Sequence, residues 1–390
     1  MQNTKSKLYA FVSTSFGFGP ISKAVSVARE LKVQAPNSII HYFGAGIDYD
    51  FAQKSGVFEK IFPVDVDDKK QLTELLPTLS QYSAVFSVLN LDLPPLWKKE
   101  YGFLYLIDSL AWMWPTLPDG LTNVKTYFVQ DYLIPPERLE EWGQQISLQL
   151  VAPIESASLQ NFERFPITKS RKSNQLLVNF SGCYNPLTGS DFFENYVGVL
   201  TNAILEITHD QYGSIVFCCN EKLTDFIRKK IKNVRGVNVG HFEHNQFLQL
   251  LASSQRVLST PGITTTLEAI ALNIPISFLL PQNYSQVLIS ERYRELLGDS
   301  ACMALSKFGP EFRVDLSLPE SEGVRLAVSN LQVILSEYQP QIRRFIADLL
   351  TVSKEVVLKN LKGNIKNSWE ETGQKSIVKY CLIQKKEEVS

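Results

Sequence analysis

One segment in the second half of the chain combines residue types that bind phosphate and sugar groups. It reads LSTPGITTTLEAIALNIPISFLLPQNYSQ over residues 258–286, a pattern that predicts a strand, a turn, a helix and a second strand. Gly262 lets the backbone of the turn approach a ligand closely. Thr264, Thr265 and Thr266 bring hydroxyls to the free N–H groups of a helix start, a combination that can hold a diphosphate.

Glu268 places a carboxylate further along the same predicted helix. A carboxylate there is poorly placed for phosphate but can accept hydrogen bonds from the two hydroxyls of a ribose. The alternative is a capping box, in which Thr265 caps the helix and Glu268 reaches back to its N–H, and the two roles can coexist. After the second strand, Gln282, Asn283 and Gln286 offer amides suited to sugar hydroxyls, or they are ordinary surface amides of a loop.

A glycine-rich turn near the N-terminus is the second segment of interest. In STSFGFGPISKAVSVARELK, Gly17 and Gly19 precede an amphipathic helix, where backbone and helix N–H groups can meet an anion. A dinucleotide fingerprint requires a third glycine where Ser22 stands and an acidic residue at the tip of the next strand, which instead ends HYFGAG. The pattern therefore argues against NAD or FAD, and a tight strand-to-helix turn is the structural alternative.

Short apolar runs separated by helical patterns must position these segments. Continuous apolar strands that alternate with helices predict an α/β fold with parallel sheets covered on both faces. We expect ligands at the carboxyl ends of the strands, where the winding reverses. The first half contains the runs 8–14, 38–44, 60–66, 83–89, 103–108, 126–131 and 148–153, and the second half contains 176–182, 214–219, 236–242, 256–260 and 275–280.

The chain is long enough for two such domains. It has 390 residues, of which 44% are hydrophobic, and the segment NFERFPITKSRKSNQ mixes charge, Ser and Pro without apolar periodicity. We expect domains over 1–160 and 176–360, a linker over 161–175, and a C-terminal helical segment over 361–390 that packs back towards the N-terminal domain.

Composition excludes several classes of protein. The chain has 39 Lys plus Arg against 40 Asp plus Glu, and no stripe of basic residues stands out that could neutralise the phosphates of a nucleic acid. Five cysteines without CxxC spacing indicate a reducing, cytoplasmic location, and four histidines without HExxH spacing predict no metal site. No apolar stretch is long enough to span a bilayer, so we expect no integral membrane segment.

The segment 258–286 resembles the donor-binding segment of GT-B glycosyltransferases, the group that contains UDP-glucuronosyl, plant UDP-sugar and lipid II-forming N-acetylglucosaminyl transferases. Their pattern is His-Gly-Gly, two variable positions, Thr-Leu-Glu-Ala, then a strand ending Pro-Gln and a closing Asp-Gln. Thr260 and Ser285 stand where that pattern has His and Asp, which removes two polar donor contacts. The matching positions are Pro261 and Gly262 for the two glycines, Thr265 and Thr266 for the phosphate-binding hydroxyls, Glu268 for the ribose-binding carboxylate and Gln286 for the final Gln.

Other segments resemble the same enzymes. The first loop of their nucleotide half is similar to LLVNFSGC, with Ser181 and Gly182 near the phosphates. The segment that reads the base is similar to VNVGHFEHNQFLQLLASSQRVLST, with the base around Phe242. FGFGPISKAVSVARELK aligns with their acceptor-side loop. The resemblance implies two Rossmann-like domains facing across a cleft, with a small-molecule acceptor on the first half and a nucleoside diphosphate sugar on the second. It implies no cofactor.

The general base is not given by the resemblance. Many inverting members carry a His after the glycine of the first loop, where this chain has Pro20. Inversion requires a proton acceptor near the attacking group. Among acidic residues at strand ends we select Asp108 as the candidate base. Burial beside Trp112 and Trp114 would raise the pKa of its carboxyl group. Asp131, or an acceptor that needs no base, is the alternative.

The segments FGFGPISKA and HYFGAGIDYDFAQKSGVF also resemble cytosylglucuronate synthase-like enzymes, which join glucuronate to a pyrimidine base. This resemblance favours UDP-glucuronate as the donor. Two other functions fit the same two-domain plan: a UDP-N-acetylglucosamine 2-epimerase, which the shortage of histidines disfavours, and a non-catalytic nucleotide-binding subunit, which the missing His at positions 20 and 260 favours.

Overall fold

The computed structural model describes residues 6–15, 18–156, 159, 174–183, 190–208, 210–232, 234–315, 317–365 and 370–387. The chain divides into two compact units. Unit 1 comprises Met1–Ala157 and Ser368–Ser390, and unit 2 comprises Ser158–Asn367. The predicted linker lies outside the described residues apart from Asn174 and Gln175.

Unit 1 contains a seven-stranded parallel sheet. Its spatial order is β3-β2-β1-β4-β5-β6-β7, and every neighbouring pair is parallel. The inner strands are apolar and buried on both faces, as a sheet covered by helices requires. The strands are β1 (Leu8–Ser13), β2 (Ile39–Gly44), β3 (Lys60–Pro63), β4 (Ala84–Val88), β5 (Phe103–Asp108), β6 (Thr126–Gln130) and β7 (Leu148–Val151).

Helices cover both faces of this sheet and create two hydrophobic cores. The last helix of the chain belongs to this unit and packs on α1, with Ile377, Val378 and Cys381 in the same core as Phe11 and Ile21. The helices of unit 1 are α1 (Phe18–Gln34), α2 (Gly46–Ser55), α3 (Lys69–Leu79), α4 (Leu93–Leu96), α5 (Pro136–Gly143) and, after unit 2, α14 (Gly373–Glu387).

Unit 2 contains a five-stranded parallel sheet in the order β10-β9-β8-β11-β12. Its strands are β8 (Gln175–Phe180), β9 (Ser214–Cys219), β10 (Val237–Gly240), β11 (Arg256–Ser259) and β12 (Ile276–Phe278). Its helices are α6 (Ser190–Thr208), α7 (Glu221–Ile231), α8 (His244–Ser253), α9 (Ile263–Ala271), α10 (Tyr284–Leu297), α11 (Glu320–Glu337), α12 (Gln339–Thr351) and α13 (Lys354–Ile365).

The winding reverses at one place in each sheet. In unit 1 the reversal lies between β1 and β4, and in unit 2 between β8 and β11. The carboxyl ends of strands at such a reversal form a crevice that binds ligands in open α/β sheets. Three predicted ligand segments, which contain Gly19, Ser181 and Gly262, follow β1, β8 and β11 and therefore lie at a reversal. The other predicted ligand residues lie at or after the ends of β5, β10 and β12, away from the reversals.

The predicted α/β fold class is confirmed, and each of the twelve predicted strands is present. The observed strands are shorter than several predicted ones. Val64 to Val66 belong to the connection after β3, and Val66 is buried there without continuing the ladder. After β12 the Leu279 N–H makes the last ladder bond, to the Ser259 carbonyl at 2.9 Å, and Leu280 is buried beyond it.

Candidate nucleotide and acceptor sites

The turn between β11 and α9 leaves a helix N-terminus open. Gly262 is the N-cap of α9, the helix begins at Ile263, and no side chain caps it. The first N–H groups of a helix have no acceptor within the helix, and together with the helix dipole they attract an anion. Gly262 is half-buried, and a Cβ added to it would meet only a backbone oxygen at 3.9 Å, so the turn is open on that side.

The three threonines of this turn occupy different environments. Thr264 and Thr265 are half-buried, and Thr265 Oγ1 accepts a bond of 3.4 Å from the Asn179 side chain. Thr266 is fully buried: its hydroxyl donates to the Gly262 carbonyl at 2.5 Å and accepts from the Tyr293 hydroxyl at 3.1 Å. The hydroxyl of Thr266 is therefore used inside unit 2, whereas Thr264 and Thr265 lie towards the surface of the turn.

Glu268 lies in the second turn of α9 and is 2% exposed. The capping-box alternative is wrong, because the helix begins before Thr265, and Glu268 therefore lies too far into the helix for that role. The carboxylate instead contacts His244, with 2.7 Å between Glu268 Oε1 and His244 Nε2. His244 is the first residue of α8, so this contact joins the start of α8 to the second turn of α9.

The amides after β12 organise their own loop. Asn283 caps α10 by accepting from the Gln286 N–H at 2.9 Å, and Gln286 Oε1 accepts from the Gln282 N–H at 3.1 Å. The side-chain amide of Gln282 donates to the Gly182 carbonyl. These bonds tie the end of β12 to the loop after β8, so the amides have a structural role that the sequence does not reveal.

The loop after β8 carries two of the predicted residues on its surface. Ser181 and Gly182 are exposed. Asn179, which the sequence analysis missed, bonds the Ser181 N–H at 3.1 Å and the Ser259 hydroxyl at 3.3 Å, besides its bond to Thr265. A single amide inside the apolar run LLVNF was the available signal, because a buried amide in a strand must find partners.

Phe242, the residue predicted to lie beside the base, follows β10. Its ring is half-buried and lies over Gly240, where an added Cβ would come within 2.7 Å of a ring carbon. Glycine at position 240 therefore allows the ring to lie against the backbone. Phe242, Gly262 and Glu268 all belong to unit 2.

In unit 1, the glycine-rich turn follows β1. Gly19 is the second residue of α1, and Gly17 lies outside the described residues. Pro20, at the position of the missing histidine, is buried in the first turn of α1. Proline fits there because the first N–H groups of a helix have no intrahelical partner.

Asp108 ends β5 and is fully buried. Its carboxylate accepts from the Leu110 N–H at 2.6 Å, from Trp114 Nε1 at 2.8 Å and from the Tyr127 hydroxyl at 2.7 Å. Burial raises the pKa of Asp108, and the three hydrogen bonds and the charge of Lys23 act against this rise. The Asp108 side chain fixes the loop that carries Trp114. Burial also makes the carboxylate more basic, as a proton acceptor must be.

A second buried carboxylate in unit 1 was missed by the sequence analysis. Asp48, in the first turn of α2, accepts from the Ser13 hydroxyl at 3.2 Å and from the Tyr42 hydroxyl at 3.3 Å. These two hydroxyls lie 2.6 Å apart. Within the described part of the chain, Asp48 Oδ1 has no hydrogen-bond partner. Burial raises the pKa of Asp48 to about 7, against the effect of both hydroxyls.

Neither unit shows a metal cluster or a membrane helix among its described residues. No group of three or more His, Cys, Asp and Glu side chains there could hold a metal ion. No helix in the same ranges is long and apolar enough to cross a bilayer. All five cysteines are free and buried.

Comparison with known proteins gives matches in structure only. No family model matches the chain, and no curated protein matches its sequence significantly. Many solved structures do match it. Arabidopsis thaliana UGT89C1 complexed with UDP has a TM-score of 0.59 at 11% identity, covering 97% of this chain and 99% of that one.

Two further matches come from bacteria. MurG of Acinetobacter baumannii has a TM-score of 0.53 at 10% identity, covering 97% of this chain and 99% of the other. A Listeria monocytogenes protein described as a UDP-N-acetylglucosamine 2-epimerase has a TM-score of 0.50 at 9% identity, covering 94% and 98%. These likenesses establish the architecture: the chain has the GT-B fold of MurG and the UGT proteins, with two α/β domains built on parallel sheets.

Proposed function

We propose that the chain is a glycosyltransferase that moves a sugar from a UDP-sugar to a small-molecule acceptor without a metal ion. The observation that carries this proposal is the uncapped N-terminus of α9 at the winding reversal of unit 2, with Gly262 at its start and the buried Glu268 behind it. Solved structures that share the fold contain UDP, among them a UDP-glucose:anthocyanidin 3-O-glucosyltransferase.

Each part of the donor has a candidate partner in unit 2. The N–H groups at the start of α9, with Thr264, Thr265 and the exposed Ser181, bind the diphosphate. Glu268 binds the ribose, and Phe242 lies beside the base. When the sugar bond breaks, the helix dipole and the hydroxyls stabilise the negative charge that develops on the diphosphate, which a metal ion does in other transferases.

The acceptor is assigned to unit 1, on the turn that contains Gly19 and the strand end at Asp108. In this proposal the carboxylate of Asp108 takes the proton of the attacking group. The finer proposal, UDP-glucuronate as donor and a pyrimidine base as acceptor, rests on the resemblance of the N-terminal segments alone.

Binding of UDP is expected to be independent of divalent metal, because helix N–H groups and hydroxyls neutralise the diphosphate. Titration calorimetry with UDP in the presence of EDTA, and again with added Mg²⁺, should give the same affinity. Loss of binding in EDTA would contradict the metal-independent proposal.

Replacing Glu268 by alanine is expected to weaken UDP binding by roughly 1.5–3 kcal/mol, the scale of hydrogen bonds to a charged group. Calorimetry measures the effect, and thermal unfolding checks that the variant is folded. The matched control is Glu295→Ala, which removes an exposed carboxylate paired with Arg292 on α10. Unchanged UDP affinity in folded Glu268→Ala would remove this residue from the nucleotide site.

A structural neighbour of the same fold supports the epimerase alternative. Product analysis distinguishes an epimerase from a glycosyltransferase. A transferase releases UDP from a UDP-sugar only when an acceptor is present, whereas an epimerase converts UDP-N-acetylglucosamine without an acceptor. A protein that binds UDP and does neither fits the non-catalytic subunit.

A further inference from the structure

His244 contacts the residue that the proposed donor site uses for ribose. Its Nε2 lies 2.7 Å from Glu268 Oε1. The Glu268 side chain is 3% exposed and that of His244 is 28% exposed, so the imidazole lies between the buried carboxylate and solvent. The His244 ring also stacks on Phe247, one turn along α8, at a centroid distance of 6.5 Å. Both contacts restrict the orientation of the imidazole.

Glu268 is the main charged group that acts on this imidazole. Burial acts to lower the pKa of His244, as does the positive end of the α8 dipole. The hydrogen bond and the negative charge of Glu268 outweigh burial, so the pKa of His244 lies above its ordinary value of 6.5. Below this raised pKa the contact is an ion pair.

The elements packed around His244 bring few other titratable groups. Glu268 is the only titratable residue of α9, and β8 has none. Glu243, the N-cap of α8, accepts from the backbone at Gln246 in a capping box. The His241 ring is hydrogen-bonded to the carbonyl of Cys219. The protonation of His244 is thus coupled mainly to Glu268.

We propose that His244 is a positioning residue of the nucleotide site: it fixes the Glu268 carboxylate for the ribose, and its positive charge favours the anionic nucleotide. The inference rests on the proposed function. When His244 loses its proton, the ion pair becomes a neutral hydrogen bond and the positive charge disappears. Nucleotide affinity therefore falls as the pH rises through the pKa of His244.

Calorimetric titration with UDP between about pH 6 and pH 9 tests this inference. In the wild type we expect the affinity to fall about five- to tenfold across this range, the difference between a charge-assisted and a neutral hydrogen bond. His244→Gln retains an N–H for Glu268 but does not titrate, so its affinity should be weaker at low pH and should lack this fall. The UDP phosphate titrates near about pH 6 in both proteins, so comparing them cancels its contribution.

Two further variants complete the design. His41→Gln removes a histidine of unit 1 that is bonded to Tyr82, and it should follow the wild-type profile. Glu268→Gln removes the charge that raises the pKa of His244. UDP affinity should be weaker in this variant, and its fall with rising pH should occur at lower pH than in the wild type. If His244→Gln does not fold, the pH profile of UDP binding by Glu268→Gln tests the role of His244 instead.

The outcomes separate the two proposals. If the wild type binds UDP and His244→Gln has the same pH profile, His244 has no positioning role and the proposed function stands. If the wild type binds no UDP at any pH, the proposed function is wrong and the role of His244 falls with it.

Discussion

Replacing Asp108 by asparagine is expected to lower the turnover of sugar transfer by about 10²-fold or more, the scale of general-base catalysis. The amide has the shape of the carboxylate but cannot take a proton. UDP affinity should be nearly unchanged, because the proposed nucleotide contacts all belong to unit 2. Steady-state kinetics with a confirmed donor and acceptor, together with UDP calorimetry on the same variant, measure both quantities.

The control for this experiment is Tyr127→Phe. It removes the hydroxyl that donates to Asp108 at 2.7 Å and leaves the carboxylate in place. If Asp108 acts as the base, Tyr127→Phe should lose far less turnover than Asp108→Asn. If Asp108 only fixes the loop of Trp114, the asparagine variant should be less stable yet fully active, and Asp131 or an acceptor that needs no base becomes the better explanation.

Replacing Asp48 by asparagine is expected to stabilise unit 1 at neutral and alkaline pH. Burial raises the pKa of Asp48 from 3.8 to about 7, so between these values the folded state binds more protons than the unfolded state. The contribution of Asp48 to the stability of the wild type must therefore fall as the pH rises from about 4 to about 7, and the full penalty remains above that range. At about 1.4 kcal/mol per pKa unit, burying the Asp48 carboxylate costs at most about 4 kcal/mol. The expected stabilisation of the asparagine variant is this penalty minus the cost of burying the amide N–H.

Denaturant unfolding of both proteins at several pH values checks this expectation. The difference in stability should be small near pH 4, should grow up to about pH 7 and should then stay constant. Asp50→Asn is the matched control, because it makes the same charge change at an exposed position of the same helix. Equal stability of Asp48→Asn and the wild type at all pH values would show that the buried carboxylate carries no such penalty.

Local sequence patterns predicted the fold well. Apolar runs such as FLYLID and SIVFCC became the strands β5 and β9 with the predicted bounds. These patterns are informative because a strand buried on both faces must be apolar along its whole length. The errors lie at strand ends such as that of β12, where the buried Leu280 follows the last ladder hydrogen bond, which the Leu279 N–H makes.

The sequence by itself determined the two parallel sheets and the candidate donor turn at Gly262, because strand periodicity, glycine turns and helix starts depend on neighbouring residues. Only the tertiary structure separated the fully buried Thr266 from the half-buried Thr265. It also brought His244 to Glu268 and three donors to Asp108. Such contacts join residues that are distant along the chain, and burial and charge then set their pKa values, so local sequence patterns do not encode them.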